Sequence, residues 1–159
     1  MNGKIELFDS TLRDGEQMAG VVFSKEEKIE MFLDFVDFGV KYIDLMPSVS
    51  VEEQSLVKDL INAGFAENIV ASTMSRKEHV DLAVKLGVEN IALFNSLSDI
   101  HLQSKLRISR EENIARSSGI IDYAASHGLK IFFAGEDTSR ADLNYVLEFV
   151  KEIENKIEC

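Results

Sequence analysis

A cluster of polar side chains follows directly after the first apolar run of the chain, residues 5–8. Residues 8–17 read FDSTLRDGEQ, and five of them carry an ionisable or amide side chain: Asp9, Arg13, Asp14, Glu16 and Gln17. The apolar run is predicted to form a strand that ends at this cluster. Such groups at the end of a buried strand have a large desolvation cost unless they are paired or bind something. The cluster is therefore either a ligand site or a solvated loop with an ordinary Arg–Asp pair.

Composition limits the class of protein to which this cluster belongs. The chain has 159 residues, of which 45% are hydrophobic and 28% charged, as expected for a single globular domain rather than a disordered chain. A net charge of −11 argues against a nucleic-acid partner, because phosphate binding needs clustered Lys and Arg. No apolar run is long enough to span a bilayer, the N-terminus lacks a signal-peptide pattern, and the single Cys159 has no disulfide partner. These features predict a cytoplasmic protein without membrane contact.

A repeated pattern of helix, glycine and short β-rich run predicts the elements that position the cluster. It occurs four times, at Gly39, Gly64, Gly87 and Gly128. Glycine is the usual residue just past a helix end, because it adopts the left-handed conformation readily. The runs that follow are short, and those at residues 91–94 and 131–133 are continuously apolar, which favours strands buried on both faces of a parallel sheet.

Helix starts are predicted by four Ser-x-x-Glu capping boxes, which begin at Ser24, Ser50, Ser75 and Ser109. A last helix is predicted from about residue 142 towards residue 156. The chain therefore reads as five β-α units, which implies parallel strands in either a doubly wound sheet or a (β/α)8 barrel. The glycine-rich phosphate motif of dinucleotide folds is absent after the first strand, which weakens the doubly wound alternative.

Polar residues lie where each predicted strand ends, whereas the connections from helix back to strand hold little beyond the capping glycine. Asp44 closes the second strand, His101 follows the fourth, and Glu136 follows the fifth. Sites in α/β proteins lie at the carboxyl ends of the strands. This asymmetry predicts the location of a site without identifying its chemistry.

Three stretches resemble one known superfamily. Residues 8–17, with the helix start SKEEK at 24–28, closely resemble the DRE-TIM metallolyases, in particular the Claisen-condensing branch of 2-isopropylmalate, homocitrate and citramalate synthases. Residues 98–112 (SDIHLQSKLRISREE) and 135–142 (GEDTSRAD) resemble the fourth and fifth βα loops of that family. The resemblance covers nearly the whole chain. It implies that residues 1–159 are the N-terminal portion of a TIM-barrel catalytic domain, an incomplete (β/α)8 barrel with about five β-α units and a parallel sheet.

The resemblance also implies roles for the residues of the first two strands. Asp14 matches the carboxylate that coordinates a divalent metal, Mg, Mn or Zn in this family. Arg13 matches the arginine that stabilises the oxygen on which negative charge develops. Asp44 stands where the family commonly has a glutamate that orients this arginine, and its side chain is one methylene shorter.

Three further positions match the substrate side of the family's site. Glu136 matches an acidic residue that contacts substrate or takes part in proton transfer. Gln17 and His101 match positions near the substrate and the acyl donor. The residues alone leave other interpretations open, since Glu136 could instead cap the last helix and His101 could be an exposed loop histidine.

The implied activity is that of a transferase of amino-acid biosynthesis, a metal-dependent acyltransferase that condenses acetyl-CoA with a 2-oxo acid. A C–C lyase of the same superfamily is the alternative within enzymes. Residues 45–48 (LMPS) depart from the Gly-Phe-Pro often seen in isopropylmalate synthases, so the 2-oxo acid is left open.

The chain lacks part of what the resemblance requires. A complete barrel needs about 250 residues, and the family's His-x-His metal ligands have no counterpart in this sequence. We therefore expect that the 159-residue chain alone lacks condensing activity. Its first and fifth strands are expected to be open edges that favour pairing with another copy or a partner. A non-catalytic partial-barrel subunit, assembled as a homo-oligomer such as a dimer, is thus the second hypothesis.

Overall fold

The computed structural model describes residues 5–159, so the interpretation of the N-terminal four residues lies outside the described part. Five strands alternate with helices along the chain. The strands are β1 (Phe8–Asp9), β2 (Tyr42–Leu45), β3 (Ile69–Met74), β4 (Asn90–Ser96) and β5 (Lys130–Glu136). The helices are α1 (Lys25–Phe38), α2 (Val51–Asn62), α3 (Lys77–Leu86), α4 (Asp99–His101), α5 (Arg110–Ser126) and α6 (Leu143–Ile153). Helix α4 continues as a π-helical turn, Leu102–Leu106.

The five parallel strands form one sheet in the order β1-β2-β3-β4-β5. In β1 and β2, Phe8 is paired with Tyr42, and the next strand continues the parallel register with Ile43 opposite Ile69. A doubly wound sheet reverses its strand order at a switch point, whereas this order is sequential. The prediction of consecutive β-α units from a TIM barrel is confirmed.

The chain comprises two compact units. The first extends to Ser72 and includes Leu82–Asn90, and the second consists of Thr73–Asp81 and Ile91–Cys159. In the first unit, the fully buried side chains come from β2, β3, α1 and α2 and include Phe32, Ile43, Leu45, Val57 and Ile69. In the second unit they come from β4, α5, β5 and α6 and include Ile91, Leu93, Ile121, Phe149 and Ile153.

Most of the predicted helix ends are present. Ser24 forms the complete capping box, with its hydroxyl accepting from the Glu27 amide and the Glu27 carboxylate accepting from the Ser24 amide. Ser50 and Ser109 also cap α2 and α5 through their hydroxyls. All four glycines of the repeated pattern have positive φ angles. These local signals were sufficient because each is satisfied within one turn of chain.

Two predictions about individual elements were wrong. Ser75 does not cap α3, because the helix begins at Lys77, one residue too late for a cap at Ser75. The Ser75 hydroxyl donates to the Phe94 carbonyl at 3.1 Å. The first strand is Phe8–Asp9 rather than residues 5–8, and Ile5 is 88% exposed. Strand β1 has β2 as its one neighbour in the sheet, so its apolar side chains are covered incompletely.

The prediction that the outer edge of β5 is open was wrong for part of this strand. The Glu158 amide donates to the Ile131 carbonyl at 2.7 Å, and the Phe133 amide donates to the Cys159 carbonyl at 2.7 Å. The last residues of the chain therefore bond to part of this edge. Across residues 5–159, the helices are too short or too polar for any of them to cross a membrane.

Candidate functional site

In the first unit, the turn after β1 is shaped by its backbone. The amides of Arg13, Asp14 and Gly15 all donate to the Ser10 carbonyl, at 3.2, 2.8 and 3.2 Å. The Asp9 carboxylate accepts from the amide and hydroxyl of Thr11, at 2.9 and 3.2 Å, so Asp9 serves the turn itself. A 3₁₀ turn, Gly15–Gln17, follows directly.

This turn brings Arg13 between two carboxylates. Its Nη1 lies 3.1 Å from Asp14 Oδ1, and its Nε lies 3.7 Å from Asp44 Oδ2. The Arg13 side chain is 19% exposed, that of Asp14 69%, and that of Asp44 6%. The structure thus brings together the arginine and the second-strand carboxylate that the sequence predicted as a pair. Asp14 is directed mostly to solvent.

Asp44 is a buried carboxylate with only one of its two oxygens hydrogen-bonded among the described residues. The Ser10 hydroxyl donates to Asp44 Oδ2 at 3.0 Å, while Oδ1 is buried without a hydrogen-bond partner among the described residues. Burial raises the pKa of Asp44, although the hydroxyls of Ser72 and Ser10 and the charge of Arg13 oppose the rise. The anionic form that pairs with Arg13 is therefore held at a cost in folding free energy.

Gln17 lines a cavity of about 480 Å³ in the first unit together with Arg13. Its apolar lining includes Val21, Val22, Phe23, Met46 and Val49. The lining also carries the ammonium group of Lys28 and three carboxylates, Glu16, Glu52 and Glu53, so the cavity is mixed and strongly charged. The substrate-side role of Gln17 is consistent with this position and stays a prediction.

Lys28 is a buried residue that the sequence reasoning did not assign to the site. It is 5% exposed, and its ammonium group bonds to Glu16 at 2.5 Å and also to Glu53. Burial lowers the pKa of Lys28, but the hydrogen bonds and charges of Glu16 and Glu53 together raise it above its ordinary value. Lys28 precedes the buried Phe32 by four residues, so its position on the inner stripe of α1 was the available signal.

Lys28 links the turn after β1 to two helices. Glu16 lies in the 3₁₀ turn, Lys28 in α1 and Glu53 in α2. Glu16 also accepts from the Phe23 amide at 3.3 Å through its other oxygen. The segment that carries Arg13 is therefore attached to the helices through a charged centre as well as through its own backbone.

In the second unit, Glu136 at the end of β5 accepts three side-chain hydrogen bonds. Lys105 Nζ donates to both carboxylate oxygens, at 2.9 and 2.7 Å, and the Ser96 hydroxyl donates to Oε2 at 2.5 Å. The bonds from Lys105 and then Ser96 lower the pKa of Glu136, so the residue is a carboxylate at neutral pH. Its 38% exposed side chain remains accessible. It acts as an acceptor rather than as an acid in this state.

His101 lies next to Glu136 rather than in an open loop. Its Nδ1 is 3.1 Å from the Ser96 hydroxyl and 3.9 Å from Glu136 Oε1, while its Nε2 is 3.8 Å from Asp137 Oδ2. The ring is held by α4, whose Ser98 cap accepts from the His101 amide at 3.3 Å. The side chain is 25% exposed. The structure therefore brings these two predicted residues together within the second unit.

The described residues do not fit a complete divalent-metal site. Asp14 offers an exposed carboxylate, which is a suitable hard ligand for Mg²⁺, Mn²⁺ or Zn²⁺. Within residues 5–159, no group of three or more His, Cys, Asp or Glu is placed to hold a metal ion. Three protein ligands are the usual number in a catalytic zinc site. Asp14 could therefore supply one ligand of a metal site but not a whole site.

A sequential parallel sheet with polar clusters at the carboxyl ends of its strands defines a TIM-barrel type of chain. The sequence profile of the HMGL-like family matches residues 4–157, and the chain belongs to this family. The resemblance to the DRE-TIM superfamily is thereby confirmed.

Individual relatives agree with the family. The chain is 39% identical over 153 residues to homocitrate synthase AksA of Methanosarcina mazei, a match that covers 96% of this chain. It is 40% identical over 151 residues, 94% of its length, to a probable 2-isopropylmalate synthase of Ignicoccus hospitalis. In both cases it spans 38% of the relative's own length.

The fold agrees with a solved structure of the same type. The chain superposes on the HMG-CoA lyase of Bacillus subtilis with a TM-score of 0.74 at 16% identity, covering 96% of this chain and 55% of the lyase. At this identity the likeness concerns the fold alone.

Proposed function

We propose that this chain forms the N-terminal part of an acyltransferase that condenses acetyl-CoA with a 2-oxo acid. Its relatives named as homocitrate and 2-isopropylmalate synthases support this proposal, since they are 39% and 40% identical to it over nearly its whole length. The observation on which it rests is the position of Arg13, a partly exposed cation held at the carboxyl end of β1 by a buried carboxylate.

Arg13 would act on the oxygen of the 2-oxo group. Formation of the new carbon–carbon bond turns this ketone oxygen into an alkoxide, and a fixed guanidinium stabilises the charge as it develops. Arg13 donates to Asp14 through Nη1 and faces Asp44 through Nε, so its guanidinium is fixed in place beside the cavity. The adjoining cavity, with Gln17 and its apolar wall, would take the body of the 2-oxo acid.

Glu136 would act in the second unit as an ionised acceptor. Condensation needs removal of a proton from the methyl group of acetyl-CoA, and an ionised carboxylate can accept a proton. Lys105 and Ser96 keep Glu136 ionised, and the same hydrogen bonds lower its pKa and so weaken it as a base. A divalent metal, when bound, would polarise the 2-oxo acid, and Asp14 would be one of its ligands.

A thiol-release assay with acetyl-CoA and a series of 2-oxo acids tests the proposal on the natural gene product. We expect CoA release that depends on the 2-oxo acid. Arg13→Lys should reduce kcat by at least about 10²-fold, because lysine loses the planar fork. Arg116→Lys is the matched control, as Arg116 is 62% exposed and pairs with Glu112 on the surface of α5.

Two results would contradict the proposal. One is CoA release that is unaffected by omission of the 2-oxo acid, and the other is an Arg13→Lys variant as active as the control. The 159-residue chain, assayed alone, is expected to release no CoA above background, because its described residues supply one candidate metal ligand rather than a complete site.

A further inference from the structure

The hydrogens around Ser96 can be assigned from the chemistry of its neighbours. Ser96 is 1% exposed, and its hydroxyl lies 2.5 Å from Glu136 Oε2 and 3.1 Å from His101 Nδ1. Two oxygens at this separation share a hydrogen. Glu136 has none to give, because Lys105 donates to both of its oxygens and a carboxylate only accepts. The single hydroxyl hydrogen of Ser96 is therefore used on Glu136.

This assignment fixes the role of the histidine. With its hydrogen committed to Glu136, the Ser96 oxygen can only accept from His101. His101 Nδ1 must then carry a hydrogen, and in the neutral ring Nε2 has the free lone pair. We propose that Ser96 is a positioning residue that holds His101 as the Nδ1–H tautomer, leaving Nε2 to accept a hydrogen bond or a proton from a bound ligand.

The carboxylate next to Nε2 agrees with this tautomer. Asp137 Oδ2 lies 3.8 Å from Nε2, which is beyond hydrogen-bond distance. The oxygens of Asp137 already accept from the Ser98 hydroxyl and from Arg140 Nε, at 2.5 and 2.6 Å. Two carboxylates, Glu136 and Asp137, lie within 4 Å of the ring, and each is bonded to a cation, Lys105 and Arg140 respectively.

The chemical class of ligand follows from this tautomer. A lone pair at Nε2 recognises a group that bears an acidic or polar hydrogen, such as a hydroxyl, an amide or an activated C–H. Any use of Nε2 in condensation rests on the proposed function. The tautomer itself depends only on the contacts of His101 in the second unit.

The histidine content of the chain makes the tautomer measurable without activity. The chain has three histidines, and multiple-bond ¹H–¹⁵N NMR correlations of the labelled rings report which nitrogen carries the hydrogen. His127 provides an internal standard, because its Nδ1 lies 2.9 Å from the Tyr123 carbonyl. A carbonyl only accepts, so His127 must also be the Nδ1–H form.

Substitutions at Ser96 distinguish the effect of its hydroxyl on the His101 tautomer from an effect on folding. Ser96→Ala should shift His101 towards the Nε2–H form that free histidine favours, by roughly tenfold in the tautomer ratio, the equivalent of one hydrogen bond. Ser96→Thr keeps a hydroxyl and should restore the original ratio. Ser126→Ala is the matched control, since Ser126 lies 3.3 Å from His127 Nδ1 but the Tyr123 carbonyl remains.

Each outcome decides the proposal. An Nε2–H tautomer of His101 in the wild-type chain would overturn it, as would a Ser96→Ala variant with an unchanged ratio and a native His127 signal. If Ser96→Ala does not fold, the tautomer of His101 is measured in the wild type and in Ser96→Thr, and both are expected to be the Nδ1–H form. An Nδ1–H tautomer, together with a natural gene product that releases no CoA with any 2-oxo acid, would refute the proposed function and leave this assignment standing.

Discussion

Replacement of Lys28 by methionine tests the charged centre that holds the turn after β1. Methionine is similar in length to lysine and lacks the ammonium group. The change leaves two carboxylates, Glu16 and Glu53, close together without their shared cation. Their repulsion and desolvation are then uncompensated, so we expect a loss of stability that is larger than for an ordinary surface ion pair.

The size of the stability loss depends on how deeply the three side chains are buried. The exposed fraction of the side chain is 6% for Lys28, 24% for Glu16 and 14% for Glu53. Removing one partner of a fully buried pair costs about 3–5 kcal/mol. Because the carboxylates retain some water contact, we expect about 2–4 kcal/mol here. For a chain of this size that corresponds to a fall of roughly 5–15 °C in Tm.

Urea unfolding of the wild type, of Lys28→Met and of two comparison variants measures this effect. Lys25→Met is the control, since Lys25 joins the same two helices through Asp59, with side chains 29% and 54% exposed, and should cost less than about 1 kcal/mol. The triple variant Lys28→Met, Glu16→Gln, Glu53→Gln should recover much of the loss, because no unpaired charge remains.

The pH dependence gives a second readout. The pKa of Lys28 is raised in the folded state, so its contribution is fully present below the unfolded value of about 10.4 and is lost as the pH rises through the folded value. The difference between wild type and Lys28→Met should therefore be the same at pH 7 and pH 9. Equal stabilities of Lys28→Met and Lys25→Met would refute the reasoning.

Three further substitutions test other parts of the structure. Asp44→Asn should raise the free energy of unfolding at neutral pH, because burial raises the pKa of Asp44 and thus makes its charged form costly in the folded state. Urea titrations should show this gain vanish as the pH falls below about 3.9, where the carboxyl is protonated in both states. Gly135→Ala places a methyl group 2.5 Å from Thr138 Oγ1 and should cost about 1–3 kcal/mol in thermal unfolding, whereas Gly119→Ala, with open space around it, should stabilise α5. Asn113→Ala removes a fully buried donor and should cost about 1–3 kcal/mol in the same assay.

The sequence predicted those features whose causes are local. The Ser24 capping box and the left-handed glycine at Gly39 each depend on a few neighbouring residues, and both are present. Ser75 has the same box pattern, yet its hydroxyl bonds to the Phe94 carbonyl instead. A partner nineteen residues away is invisible to a pattern that spans four, which is why the box was wrong.

The residues of the candidate site also fall into those that were predicted and those that were missed. The family resemblance implied that Arg13 and Asp44 would lie together, and they do. The roles of Lys28 and Lys105 were missed, because lysine on a helix usually faces solvent. Only the structure shows that Lys28 is buried between carboxylates and that Lys105 reaches Glu136 from a π-helical turn.

The backbone of the turn after β1 has a consequence for how such sites diversify. Three successive amides converge on the Ser10 carbonyl, so the path of the chain is set by main-chain groups that every non-proline residue possesses. The side chain of Asp14, which is 69% exposed, is therefore exchangeable without rebuilding the loop that presents it, whereas Arg13 also offsets the buried charge of Asp44. A library of variants at position 14 would sample new chemistry beside an unchanged arginine.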